Sequence, residues 1–187
     1  MGLRDFFMKK RPKAATSAAP SLALPADNPG VTKIEREHFL LHAPFQWVAI
    51  PGDNPLEFEF RNQTLHEQLI VTVLLARKPL NQDQLQQFAK ELGEKRLNAI
   101  STVSHGRSVH APLQVKAESG DAEVRCFGHD EPQRVRFAFV VRATPAKVIT
   151  ASLTRYFLEE VGSPFETYCG IIFDFLQVKD ASDPAGT

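Results

Sequence analysis

Residues 69–100 read LIVTVLLARKPLNQDQLQQFAKELGEKRLNAI, and this stretch decides the fold class. Leu69–Leu75 is an unbroken β-rich apolar run, the pattern of a central strand covered on both faces. Pro79 ends it. Asn81 then offers an N-cap, with Gln84 three residues later completing a capping-box pattern, and Leu80 and Leu85 stand at the two positions of a hydrophobic staple. Leu85, Phe88, Ala89 and Leu92 follow the i, i+3, i+4, i+7 spacing of one helix face. Gly93 weakens the middle, Leu97 and Ile100 resume the apolar face, and the helix should end before Ser104–Gly106.

Working outward, the N-terminal side carries a short apolar segment, Glu37–Pro44, then Phe45–Ile50 with the sole tryptophan, Trp47, then the turn cluster Pro51–Pro55. Leu56, Phe58 and Phe60 alternate with Glu57, Glu59 and Arg61, the period-2 signature of a half-buried strand. On the C-terminal side Leu113, Val115 and Ala117 alternate with polar residues, Ser119–Gly120–Asp121 reads as a turn, and residues 122–127 return as the hairpin partner. Val135, Phe137, Phe139 and Val141 form one face of a further strand. After a turn at 144–147, Lys147–Phe157 is a long β-branched strand. Short turns between successive strands predict antiparallel pairing. A second helix is expected with Ser163 as N-cap, Pro164 at the first helical position and Glu166 closing a capping box. Its buried stripe is read as Phe165, Tyr168, Cys169, Ile172, Phe175 and Leu176. The fold class is therefore α+β, an antiparallel sheet of about six strands flanked by two main helices, each covering a sheet face.

The 187 residues suit one domain, read here as residues 31–179, with a frayed tail at 180–187. Residues 12–30 hold four prolines, six alanines and no aromatic residue, the composition of a flexible linker. The formal net charge is zero but unevenly placed: residues 1–13 carry five cations and one anion, whereas residues 31–187 carry seventeen cations against twenty anions. A body this close to neutral argues against nucleic acid as the partner. The two cysteines, Cys126 and Cys169, sit in apolar strings and read as buried reduced thiols. No secretory signal, myristoylation pattern or membrane-spanning run is visible, so a cytoplasmic protein is expected.

Element order and anchor residues together resemble the Mog1/PsbP-like fold. The features are Phe39–Leu41 before Pro44 and Trp47, paired strands at 56–61 and 66–76, the long helix at 81–102, the GDAEV turn and strand at 120–124, the paired strands VRFAFVVR and KVITASLTRY, and a final helix ending in Phe173–Val178. Within that fold the chain is similar to the bacterial DUF1795 group, which includes DcrB-like proteins and the effector-associated chaperones of type VI secretion. The resemblance covers residues 37–178. It implies an α/β/α sandwich and a non-enzymatic binder or adaptor, with another protein as partner and an apolar segment of that partner as the thing bound. It supplies no catalytic residue to carry over, and residues 1–30 have no counterpart in it.

The residues themselves offer little chemistry. No P-loop and no G-x-G-x-x-G is present. Ser104-His105-Gly106-Arg107-Ser108 is not a G-x-S-x-G elbow and reads as a loop. His105, His110 and His129 lack the i, i+4 spacing and third ligand of a helical zinc site, and read as polar loop histidines. No catalytic, cofactor or metal site is therefore expected, and no cofactor. Two surface candidates stay open. Arg134, Arg136 and Arg142, with Arg125 on an adjoining strand, form a row suited to an acidic partner, or simply pair with Glu123 across strands. Phe6 and Phe7 beside Lys9, Lys10 and Arg11 form an apolar cluster joined to a basic one, suited to weak contact with an anionic membrane or docking on a partner, or to an idle terminus.

Overall fold

A computed structural model describes residues 30–157 and 164–179. The order of elements is β1 (Val31–Glu35), β2 (Phe39–Pro44), β3 (Val48–Ile50), β4 (Glu57–Asn62), β5 (Glu67–Leu75), α1 (Gln82–Val103), β6 (Val109–His110), β7 (Gln114–Glu118), β8 (Asp121–Asp130), β9 (Val135–Ala143), β10 (Lys147–Arg155), α2 (Phe165–Asp174) and β11 (Leu176–Val178). The architecture is α+β. The strands form an eight-stranded antiparallel sheet, in the order β3-β4-β5-β10-β9-β8-β6 with β7 also on β8, and a three-stranded sheet β1-β2-β11. The sheet thus exceeds the expected six strands. The additional strands of the large sheet, β3 and β6, are only three and two residues long, too short to show a period-2 pattern in sequence.

Helix α1 begins as its sequence dictates. Asn81 accepts from the Gln84 amide at 3.0 Å, and the Gln84 side chain accepts from the Asn81 amide at 3.0 Å, a complete capping box. Leu80 and Leu85 are both buried, as a staple requires. The helix lays Leu85, Phe88 and Ala89 against Val124, Cys126, Phe139, Val141 and Val148 of the large sheet. Gly93 has a packing role: a Cβ there would stand 3.0 Å from Val124 Cγ1, so glycine lets α1 approach β8 closely. On the opposite sheet face, Leu69, Val71, Val73, Ala138, Val140, Ile149, Ala151 and Leu153 pack under α2 and the small sheet, whose Ile34, Phe39, Leu41 and Ala43 complete that core.

Three details correct the sequence reading. Strand β5 is not sealed on both faces: Leu69, Val71 and Val73 are buried, while Ile70, Thr72 and Leu74 are half-buried. The strands covered on both sides are β9 and β10, because α1 lies over β8 and β9 rather than over β5. Helix α2 ends at Asp174, since Leu176 and Val178 leave it to pair with Leu41 and Phe39 of β2; Phe175 is consequently half exposed rather than part of the buried stripe. Pro164 occupies the N-cap of α2 with extended ψ of 140° and makes no side-chain cap, so it is not the first helical residue. The Ser163 cap lies outside the described residues.

Candidate binding surface around the second helix

Helix α2 is held across the sheet by charge at both ends. Near its start, Tyr168 donates its hydroxyl to Glu67 Oε2 at 2.8 Å, and Arg155 closes on the other carboxylate oxygen with Nε at 2.8 Å and Nη2 at 2.7 Å. Arg155 is wholly buried and Glu67 nearly so. The Arg155 guanidinium carbon also lies 4.9 Å from the Phe165 ring centre and 5.1 Å from that of Tyr168, a cation–π arrangement that partly replaces lost hydration. Burial pushes the Glu67 carboxyl up from its ordinary value, against the pull of Tyr168 and Arg155. Burial and the adjacent carboxylate likewise raise the Tyr168 hydroxyl, keeping it protonated as a donor.

At the far end Asp174 accepts from Arg125 Nη2 at 2.6 Å. Arg125 also binds Glu123, which in turn accepts from Arg142 Nε at 2.8 Å. Burial tends to push Glu123 up, but the two arginines outweigh it and hold the carboxyl below its usual range. Arg142 additionally donates to the Leu176 carbonyl, tying β9 to the exit from α2. This cluster lines a cleft of about 320 Å³ with Lys116, Glu118 and Asp121. A second cleft, of about 720 Å³, opens beside the other end of α2 and is lined by Asn62, His66, Glu67 and Tyr156 among others.

Between these anchors, beside the exposed Glu166 and Thr167, three large apolar side chains stand exposed on and next to α2. Phe45 is 51% exposed, Ile171 43% and Phe175 51%. Phe45 packs its ring 6.2 Å from Tyr168, and Phe175 lies 6.5 Å from His42 on β2. Ile171 falls between, three residues after Tyr168 and four before Phe175, so the group forms one strip along the helix. Phe45 also holds a left-handed φ of 67°, which an L-residue adopts at a cost. Strained, solvent-exposed aromatic residues concentrate at functional surfaces.

The sequence candidates distribute differently. Arg142 joins the Glu123 cluster, as cross-strand pairing in the β8–β9 register requires. Arg136 lies six positions earlier on β9, directly opposite Arg155, and Arg134 sits in the β8–β9 turn with φ of 53°. Arg142 thus stands at the Glu123 end of β9, and Arg134 and Arg136 at the other. Phe6, Phe7, Lys9, Lys10 and Arg11 lie outside the described residues. His105 is in the loop after α1, but His110 and His129 belong to β6 and β8, because those segments pair with each other. Among the described residues no three His, Cys, Asp or Glu side chains gather as a metal site, and no helix is long and apolar enough to cross a membrane. Cys126 and Cys169 are buried free thiols. The strip was missed because Phe175 reads as a core residue in sequence and only the early end of α2 leaves it exposed; Ile171 falls outside the buried stripe by helix period alone. Glu67 and Arg155 give no local signal beyond a charge at the end of an apolar strand.

No family model matches the chain, and neither does any curated protein. Solved structures do match. The Ran-binding protein Mog1p of Saccharomyces cerevisiae superimposes with a TM-score of 0.54 at 9% identity, covering 83% of this chain and 98% of that one. A point mutant of Mog1 gives 0.50 at 10% identity, covering 81% of this chain and 97% of that one. Identity this low speaks for the fold alone. The chain has the Mog1/PsbP-like fold.

Proposed function

We propose that this protein is a protein-binding module that performs no chemistry of its own. The observation that carries the reading is the likeness to a Ran-binding protein over 98% of that protein's length. Fold does not dictate function, so the local surface matters as well. The apolar strip of Phe45, Ile171 and Phe175 supports a finer form of the proposal: an adaptor or chaperone, of the secretion-effector kind, that shields an apolar segment of its partner. An amphipathic helix laid along such a strip would bury its apolar face between α2 and β2.

Affinity capture with the full chain, followed by reconstitution with each purified candidate, tests this. A single partner binding stoichiometrically, and at least about tenfold more weakly to an Ile171→Asp, Phe175→Asp variant of unchanged melting temperature, is the expected result. No partner surviving reconstitution would remove the binding-module reading. A partner indifferent to the double variant would keep the module and remove the strip as its surface.

A further inference from the structure

The outer edge of the large sheet points to a second copy of this chain. Strand β7 pairs with β8 on one side only, and among the described residues nothing pairs with its other side. Every residue of β7 is solvent-exposed. Natural edge strands are usually short, kinked or covered, because a row of free N–H and C=O groups is a template for another strand. Here the hairpin that carries the edge is pinned in register. The β7–β8 turn closes with Glu118 opposite Asp121, and the Gln82 side chain of α1 clamps it, accepting from the Gly120 amide at 2.9 Å and donating to the Asp121 carbonyl at 3.2 Å.

A two-residue turn makes Glu118–Asp121 a hydrogen-bonded pair, and hydrogen-bonded pairs alternate along the ladder. Gln114, Lys116 and Glu118 therefore direct their backbone groups at β8, leaving those of Val115 and Ala117 for the free edge. We propose that two copies join antiparallel along β7 with Ala117 on the two-fold axis, so that Lys116 of each copy faces Glu118 of the other. Charge complementarity selects this register. The two Lys–Glu pairs fall at non-hydrogen-bonded positions, where facing Cα atoms approach to about 4.5 Å and side chains interact most strongly. Shifting by one pair in the backbone-compatible series sets Lys116 against Lys116. Shifting once more sets Lys116 against Gln114 and carries Glu118 past the end of β7 to Pro112, so both charge pairs are lost. Isologous self-pairing of this kind is the commonest route to a closed oligomer. The proposal is independent of the binding-module reading, since it concerns the purified chain alone.

Sedimentation velocity on the full chain, from micromolar to millimolar concentration, tests it. A five-residue edge is far smaller than a standard interface, so a weak dimer with a Kd of roughly 10–1000 μM is expected, weakening further as salt is raised. Lys116→Glu is expected to weaken it at least about fivefold, and adding Glu118→Lys to the same chain to restore the parent affinity, because the pairs are reciprocal. Ala117→Pro removes only an outward N–H and is expected to abolish the dimer while the circular dichroism spectrum is retained. A chain that stays monomeric at every concentration overturns the proposal. So does a dimer indifferent to both Lys116→Glu and Ala117→Pro, or one that the double reversal fails to restore.

Discussion

Tyr168 on α2 donates to Glu67 on β5 at 2.8 Å across 101 positions of sequence, and this bond seats the helix on the sheet. Because both groups are buried, Tyr168→Phe leaves a carboxylate oxygen without its partner. A loss of about 2 kcal/mol in urea unfolding is expected, the usual penalty for an unsatisfied buried acceptor.

Arg155→Met breaks the ion pair and leaves Glu67 charged inside the protein, with an expected cost of about 3–5 kcal/mol at neutral pH. The sign of its pH dependence follows from burial, which raises the Glu67 carboxyl above its unfolded value. Such a group contributes most stability below its unfolded pKa and loses it as pH rises through the folded one. The gap between variant and parent should therefore narrow when unfolding is repeated near pH 4, because protonation neutralises the stranded carboxylate. A gap that widens toward acid would contradict this account.

Glu123 and Glu35 behave in the opposite sense. Arg125 and Arg142 hold Glu123 below the usual range despite its burial, and Lys179 and Lys33 hold the Glu35 carboxyl at about 2. Stability from such groups is present above the unfolded carboxylate pKa of about 4.3 and is lost as pH falls toward the folded values. The parent should weaken progressively between pH 4.5 and 2. Glu123→Gln should flatten that decline in a pH series of chemical unfolding curves.

Three glycines predict three outcomes for one substitution. At Gly170, in the middle of α2, an added Cβ meets nothing within 4 Å, so Gly170→Ala should stabilise by up to about 1 kcal/mol through helix propensity. At Gly93 the contact with Val124 at 3.0 Å should cancel most of the same gain. At Gly128 a Cβ would lie 2.4 Å from Phe137 Cζ and 2.5 Å from the Val109 carbonyl, so Gly128→Ala should cost about 2 kcal/mol or more. Melting temperatures of the three variants, ranked in that order, check the packing of both helices and of the β6–β8 pair.

The thiols are expected to be inert in the native protein. Burial pushes the Cys126 thiol up to about 11, and Cys169 well above its ordinary value. A thiol-reactive chromogen should label neither over minutes at pH 8, and both at once in denaturant. Rapid labelling of Cys169 under native conditions would show that α2 lifts from the sheet.

Much of the fold was legible because its signals are local. The Asn81–Gln84 box and the Leu80–Leu85 staple depend on residues within a turn or two of one another, and both stand in the structure as read; the alternation read along Val135–Val141 placed the strand but not its burial, since Ala138 and Val140 on its other face are buried too. Strand pairing from β7 to β10 was legible too, since two-to-four-residue turns leave neighbouring strands no choice but to fold back.

What only the tertiary structure decided is every relationship between distant segments. The three-stranded sheet needs Leu41 to meet Leu176, and that pairing ends α2 early and turns Phe175 outward. Apolar character alone cannot distinguish a core phenylalanine from one left exposed, because both satisfy the same periodicity. Glu67 and Arg155 are charged residues that composition would place at the surface; facing strands and three aromatic rings enclose them instead. Local hydrogen bonds and alternation determined the elements of this protein, whereas closure of the chain over some hundred residues determined which side chains face water.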